Sequence, residues 1–298
     1  MLDVLIIGSG PAGLSAAVYA KRANLDVLVA EKVYYGTGQV AESNLVDNYL
    51  GFAGMNGYDL GEKFREHALS LGVEFQNGEA THFELIDGIW KVAFQNGDVL
   101  ETKTVIYAAG ARHRHLEIPG ENEFAGKGVS YCATCDGAFF RGKATAVVGG
   151  GDTALDDALY LSDISSKVYL VHRRKEFRGS AKTVEKLKAK ENVEFVLEAA
   201  PVEITGSDRV QTLLLQDGRS LEVDGVFIAA GMLPVTEIVK DVVILDKVGY
   251  IVADETGKTS VKGFFAAGDV RTKALRQVVT AVSDGANAAT SAEQYIRQ

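Results

Sequence analysis

The sequence predicts an α/β chain built from two parallel-sheet units, one inserted into the other. Three observations lead there. A short apolar run, a glycine-rich turn and a helical stretch follow one another twice, at residues 2–23 and again at 144–161. Each set is followed by a second apolar run, and the residue that ends it lies 18 positions beyond the turn (31 − 13 = 18; 172 − 154 = 18). A further apolar run ending in a glycine and an acid, Gly263-Phe264-Phe265-Ala266-Ala267-Gly268-Asp269, comes only near the C-terminus. Strand, glycine turn, helix and strand in this order are the sequence form of a Rossmann-like dinucleotide-binding domain. The chain therefore reads as two such domains: a discontinuous one over 1–114 and 240–298, and an inserted one over 115–239.

Leu2-Asp3-Val4-Leu5-Ile6-Ile7 has the near-continuous apolar character of a strand buried on both faces. In Gly8-Ser9-Gly10-Pro11-Ala12-Gly13, Gly8 allows the tight turn and Gly10 lets the backbone approach a pyrophosphate. Gly13 packs the helix predicted at 14–23 against the strand. The helix N-terminus then offers unpaired N–H groups to the phosphates. Val27-Leu28-Val29-Ala30 is the second strand, and Glu31 stands where an acid accepts from an adenosine ribose. Residues 36–58 are polar and aromatic without a clear period. A helix at 59–71 and strands at 73–75, 80–85, 89–94 and 99–101 follow, with Asn96-Gly97 as a hairpin turn. Thr104-Val105-Ile106-Tyr107-Ala108-Ala109-Gly110 is a separate buried strand, and His113-Arg114-His115 reads as a solvated connector before Pro119-Gly120.

The inserted domain repeats the first pattern with different chemistry. Ala144-Thr145-Ala146-Val147-Val148 runs into Gly149-Gly150-Gly151-Asp152-Thr153-Ala154, the G-x-G-x-x-A variant, and a helix to about residue 161. Val168-Tyr169-Leu170-Val171 ends at His172, so the acid is replaced by His172-Arg173-Arg174, with Arg178 further on. An acid accepts from a free 2′-hydroxyl, whereas arginines bind a 2′-phosphate through bidentate, charge-assisted bonds. The first site accordingly reads as one for FAD and the second as one for NADPH. Val226-Phe227-Ile228-Ala229-Ala230-Gly231 closes the inserted domain, and Leu233-Pro234 marks the crossover back. A final helix at 277–296 follows Gly268-Asp269, whose glycine and acid suit a cofactor contact.

The chain has two cysteines, and they stand together in Cys132-Ala133-Thr134-Cys135-Asp136. A C-x-x-C turn brings two sulfurs within bonding distance and lowers one thiol's pKa, so the pair can cycle between dithiol and disulfide. A zinc site needs about four ligands, and the five histidines are too scattered to supply them. Inert buried cysteines need no partner, which leaves the redox pair as the favoured reading. Cys135 lies 14 residues before Gly149 (149 − 135 = 14), inside the inserted domain.

A formal charge of −9 with 24% charged residues argues against a general nucleic-acid or anionic-membrane surface. Two cysteines fit a reducing compartment, where disulfides are transient and catalytic. Asp3 occupies the basic region a signal peptide would need, and no apolar run reaches about 18 residues. A cytoplasmic protein is expected.

Together, the two glycine turns, Cys132-Ala133-Thr134-Cys135-Asp136, His172-Arg173-Arg174 and Ala266-Ala267-Gly268-Asp269 resemble the bacterial low-molecular-weight thioredoxin reductases, in order and over essentially the whole chain. The resemblance implies an NADPH-dependent flavoprotein disulfide reductase, passing electrons from NADPH to FAD to Cys132 and Cys135. From there they would reach the disulfide of thioredoxin or a thioredoxin-like protein. It implies a homodimer, with Cys135 against the flavin, Cys132 attacking the partner's disulfide and Asp136 protonating a thiolate. It matches Gly38, Gln39 and Asn48 to positions around the FAD, and Asp269 to the residue near its ribityl and pyrophosphate. Arg276-Gln277 match the start of the helix facing the flavin's pyrimidine end.

The chain departs from the family at Tyr49-Leu50-Gly51 for Trp-Pro-Gly and at Ala108-Ala109-Gly110 for Ala-Thr-Gly. It departs again at Pro234-Val235-Thr236 for Pro-Asn-Thr and at Asp156-Asp157 for a glutamate pair. Other functions share some of these motifs. A flavin-dependent dithiol oxidase tends to lack the arginines after His172. The reductase core of a peroxide-reducing system usually carries an added N-terminal dithiol domain, for which Met1, five residues before Ile6, leaves no room. A non-catalytic flavin-binding redox sensor would bind FAD without being reduced by NADPH. For Asp136, the alternative to an acid is a helix cap.

Overall fold

The structure, a computed structural model, describes residues 1–33, 36–43 and 46–298. It forms two compact units, one of Met1–Arg112 with Leu233–Gln298 and one of His113–Met232.

In the first unit, strand β1 (Leu2–Ile7) turns at Gly8 into helix α1 (Pro11–Arg22), and the chain returns as β2 (Val27–Glu31). Gly8 has φ +103°, and a Cβ there would run into the backbone of Ala108. A side chain is therefore excluded twice over, by conformation and by space. The helix begins at Pro11, ahead of the expected start at residue 14, because a first-turn proline loses no hydrogen bond. Helix α2 (Gly57–Ser70) is capped by Asn56, whose side chain accepts from the Tyr58 N–H.

Strands β3 (Glu74–Asn77), β4 (Ala80–Ile86), β5 (Ile89–Phe94) and β6 (Val99–Tyr107) follow. The sheet order is β3-β2-β1-β6-β5-β4, parallel from β3 to β6, with β4 and β5 an antiparallel addition. The sequence suggested two strands where β6 is one. Thr102 and Thr104 interrupt its apolar pattern, yet both are buried with their hydroxyls donating to the carbonyls of Thr104 and Asp3. A polar side chain satisfied in this way does not break a strand.

The chain leaves through β7 (Ala111–His113). The second unit comprises β8 (Val129–Ser130), the single turn α3 (Ala133–Asp136), β9 (Ala144–Gly149), α4 (Asp152–Ser162), β10 (Lys167–His172), α5 (Ala181–Lys188) and β11 (Val193–Leu197). Then come β12 (Pro201–Gly206), β13 (Val210–Leu215), β14 (Ser220–Glu222) and β15 (Gly225–Ala229). Five strands make a parallel sheet in the order β11-β10-β9-β15-β8, while β12, β13 and β14 form a separate antiparallel meander. Successive residues of β9 serve opposite faces. Ala146 and Val148 join Ile204, Leu213 and Leu215 of the meander, and Val147 joins Ala154, Leu155 and Ala158 of α4.

The chain returns through β16 (Met232–Pro234), which pairs with β7, and β17 (Phe264–Ala266) joins β6 in parallel. Helix α6 (Val278–Ile296) then packs on α1 through small residues, among them Ala12, Ala16, Ala281 and Ala288. At Gly285 a Cβ would meet the Ala12 carbonyl, so the two helices approach backbone to backbone. Among the described residues, no helix is long and apolar enough to cross a membrane.

Candidate active site

Cys132 and Cys135 are joined by a disulfide, with Cα atoms 5.3 Å apart. Cys132 is extended (φ −144°, ψ 100°) and caps the turn α3, its carbonyl accepting from the N–H groups of Cys135 and Asp136. The Thr134 hydroxyl lies 3.4 Å from the Cys132 sulfur. Asp136 makes no capping bond; instead its Oδ2 accepts from the Ser130 hydroxyl at 2.6 Å. Ser130 Oγ in turn accepts from the Cys132 N–H at 3.1 Å. Burial pushes the Asp136 carboxyl above its ordinary range, and the Ser130 hydrogen bond works against that rise. The helix-cap alternative for Asp136 is thereby set aside.

Of His113-Arg114-His115, expected to be a solvated connector, Arg114 and His115 are exposed as expected, while the two histidines also join an ordered polar cluster. His115 Nδ1 lies 2.9 Å from the Tyr131 hydroxyl and 3.1 Å from Glu121 Oε1, and Tyr131 donates to the same oxygen at 2.8 Å. Glu121 is 1% exposed, and its other oxygen accepts from the N–H groups of Leu116 and Glu117. The His113 ring stacks on Tyr131, the residue before Cys132. Nothing local marked this cluster, because its members are up to 18 residues apart (131 − 113 = 18).

Around the first glycine turn, α1 starts at Gly10 without a side-chain cap, so its leading N–H groups remain available to a ligand. Ser9 is buried, and Glu31 Oε2 accepts both its N–H (2.9 Å) and its hydroxyl (3.0 Å), while Oε1 accepts from the Val33 N–H. Gly10 faces Gly38, where a Cβ would crowd the Gly10 Cα. Gln39 opens a short 3₁₀ turn directly after Gly38. Asn48 Nδ2 donates to Gln277 Oε1 at 2.9 Å, which joins two predicted site residues 229 positions apart. Ala109 and Gly110 follow β6, and the Gly110 carbonyl accepts from the Val235 N–H.

Gly268 has φ +79° and donates its N–H to Asp284 Oδ2, which also receives Arg271 Nε and Lys273 Nζ, both at 2.9 Å. Burial opposes the Asp284 charge, but the bonds from Arg271 and Lys273 prevail and hold its carboxyl below the ordinary range. This buried ion cluster was missed by sequence reasoning, although an aspartate among the small residues of α6 was a usable signal. Asp269 Oδ1 is buried without a hydrogen-bond partner, 3.9 Å from Lys273 Nζ. The Arg276 guanidinium sits 4.0 Å over the Tyr250 ring, with its Nε also buried and unpartnered.

In the second turn α4 starts at Gly151, again without a side-chain cap. Asp152 Oδ1 accepts from the Ser180 N–H, Thr153 is exposed, and Ala154 is buried against Gly149. Gly150 lies so close to the His172 ring that a Cβ would overlap it. His172 is buried, stacked on Phe177, with Nε2 3.2 Å from the Glu176 carbonyl. Burial and the nearby Arg174, Arg178 and Arg173 push its pKa down, so it stays neutral at pH 7. The three arginines are exposed, and Arg174 and Arg178 line an open cavity of about 340 Å³ with Lys175, Glu176 and Phe177.

The donor sets fit two dinucleotides. Uncapped helix starts beside glycines suit pyrophosphates in both units. The orphaned Asp269 and Arg276 atoms await polar partners in the first, and three exposed guanidiniums await an anion in the second. Fold and site thus define a two-dinucleotide oxidoreductase that carries a redox-active disulfide. The pattern of the pyridine nucleotide-disulphide oxidoreductases matches residues 2–285, and the chain belongs to that family.

The chain is 42% identical to a thioredoxin reductase of Bacillus subtilis over 99% of its own length and 95% of the relative's. It is also 42% identical to one of Treponema pallidum, over 99% and 97%. A crystal structure of thioredoxin reductase from Streptococcus pyogenes covers 100% of the chain and 98% of its own, with 41% identity and a TM-score of 0.93. The fold is two Rossmann-like domains, one inserted into the other, and the protein is a flavoprotein oxidoreductase that uses FAD and NADPH.

Proposed function

We propose that the chain reduces the disulfide of thioredoxin or of a thioredoxin-like protein, as a homodimer in the cytoplasm. The supporting observation is the Cys132–Cys135 disulfide with Asp136 beside it, in the unit that also carries the second glycine turn and the arginines after His172. In this reading Gly8, Ser9, Gly10, Pro11, Ala12, Gly13, Glu31, Gly38, Gln39 and Asn48 hold FAD. Ala109, Gly110, Gly268, Asp269, Arg276 and Gln277 complete that site. Gly149, Gly151, Asp152, Thr153, Ala154, His172, Arg173, Arg174 and Arg178 hold NADPH. The domain limits follow the sequence reading, about 1–114 with 240–298 for FAD and 115–239 for NADPH.

Bound FAD supplies a two-electron relay from NADPH to the disulfide. Opening the Cys132–Cys135 bond with that pair leaves two thiolates, one of which Asp136 protonates. The Cys132 thiolate attacks one sulfur of the substrate disulfide and expels the other as a thiolate. Cys135, whose proton returns to the Asp136 carboxylate, then attacks Cys132 as a thiolate, re-forms the internal disulfide and releases the second substrate sulfur. One NADPH and one proton are consumed per substrate disulfide reduced.

The test is anaerobic titration of the purified holoprotein with NADPH, followed by addition of oxidised thioredoxin. Flavin absorbance should fall with NADPH and return as thioredoxin is reduced. A colourless protein after incubation with FAD, or a flavin that NADPH does not bleach, defeats the proposal.

A further inference from the structure

We infer that Ser130 is a positioning residue for the acid Asp136, setting its proton affinity and the oxygen from which it gives its proton. The inference rests on the reading of Asp136 as the acid. Ser130 ends β8, the edge strand of the five-stranded sheet, where it pairs in register with Phe227 and is 5% exposed. Its backbone is therefore held by a strand.

A serine hydroxyl has one proton to donate and two lone pairs to accept with. The Cys132 N–H, which can only donate, occupies the acceptor side at 3.1 Å. The one hydroxyl proton has two acceptors in reach, the Cys132 carbonyl at 3.4 Å and Asp136 Oδ2 at 2.6 Å, and the shorter, charge-assisted contact to Oδ2 takes it. Accepting one hydrogen bond also makes the O–H a stronger donor to the next. Oδ2 is thereby bound as an acceptor, and Oδ1 is left as the oxygen that carries the transferable proton. When the Cys132–Cys135 bond receives two electrons, protonated Asp136 gives that proton to one of the two thiolates. The products are one thiol, one thiolate and an Asp136 carboxylate that Ser130 stabilises through Oδ2.

Other titratable groups stand nearby. Asp156, Asp157 and Tyr160 lie on α4, which packs against α3 and is pressed by Gly137. Asp157 is itself pushed up to about 7 by burial and by Asp156. His115, Glu121 and Tyr131 bind one another upstream of Cys132. None of them is what moves Asp136: burial raises its carboxyl, and Ser130 is the group that opposes the rise.

The test compares Ser130→Ala and Ser130→Thr in the NADPH-reduced holoprotein. The pH dependence of thiol alkylation by iodoacetamide and of thioredoxin turnover would be measured for each. The limb that disappears in Asp136→Asn belongs to Asp136. In Ser130→Ala that limb should move to higher pH by about half a unit or more, and in Ser130→Thr it should stay at the wild-type position. FAD content and melting temperature check the fold, and Ser130→Gly replaces the alanine variant if that one fails to fold. A limb lost in Asp136→Asn yet unmoved by removal of the hydroxyl overturns the role of Ser130 alone. A limb that survives Asp136→Asn overturns Asp136 as the acid, and Ser130 with it.

Discussion

The two glycine turns are the same backbone device carrying opposite chemistry. Each leads a buried parallel strand into an uncapped helix, and each meets the end of the next strand 18 residues on. In the first, Glu31 reaches back and takes both the N–H and the hydroxyl of Ser9, so the acid that would meet a ribose also braces the turn. In the second, the neutral ring of His172 lies close against Gly150 and holds the turn by contact, while charge is delegated to exposed arginines. The first turn is braced by ionic hydrogen bonds and the second by packing. Support and specificity share one residue in the first and are divided in the second.

The largest way to test this division is to remove the sulfur that only the second unit carries. Cys135→Ser should lower thioredoxin reduction by about 1,000-fold or more, while NADPH still bleaches the flavin. Loss of both would place the dithiol in cofactor binding instead of in the last transfer.

Asp284 comes next, because it extends the ionic bracing of the first unit to Gly268. Asp284→Asn removes the buried counter-charge of Arg271 and Lys273, leaving Arg271 only its Glu255 and Thr272 partners, and we expect a loss of about 3–5 kcal/mol, read by urea unfolding. The sign with pH follows from its depressed carboxyl: the wild type has this stabilisation above the carboxyl's unfolded pKa and loses it as pH falls through the lower folded one. The variant should therefore converge on the wild type at acid pH.

Glu31→Ala leaves the buried N–H of Ser9 without its acceptor, while the Ser9 hydroxyl keeps the Gly36 carbonyl. The cost should be about 1–3 kcal/mol, seen as weaker FAD retention in ultrafiltration. His172→Ala, which removes the packing on Gly150 and the contact with the Glu176 carbonyl in the second turn, should leave FAD retention unchanged. Smallest is Arg174→Ala, expected to raise KM for NADPH by about tenfold, equivalent to about 1.4 kcal/mol. KM for NADH should stay the same in steady-state assays. Equal effects on both nucleotides would remove the arginine from phosphate recognition.

Both turns, the strands around them and the cysteine pair were legible in the sequence, because each is encoded over fewer than about 30 consecutive residues. What was not legible is assembled from distance. The meander of β12, β13 and β14 packs on the sheet through Ile204 and Leu213, residues far apart in the chain from the β9 positions they meet. The break read at Thr102 and Thr104 was local polarity without knowledge of the carbonyls that satisfy it. Glu121, Tyr131 and His115 gave no shared signal, and Ser130 looked like any strand serine until its hydroxyl was placed between Cys132 and Asp136. Asn48 and Gln277 were each picked out by the family resemblance, and the bond that joins them is seen only in the structure.

The seam of α1 against α6 has a consequence for how the protein is born. The sheet and helix layer of the first unit wait for β17 and α6, which follow the whole second unit in the chain, whereas the sheet of the second unit is complete within residues 129–229. At a ribosomal pace of about 5–20 residues per second, the 65 residues after position 233 (298 − 233 = 65) take about 3–13 seconds to emerge. For that interval the inserted half is free to mature while the alanine face of α1 stands bare, waiting for a helix still in the tunnel. Nascent-chain chaperones should meet this protein at its beginning, not at its middle.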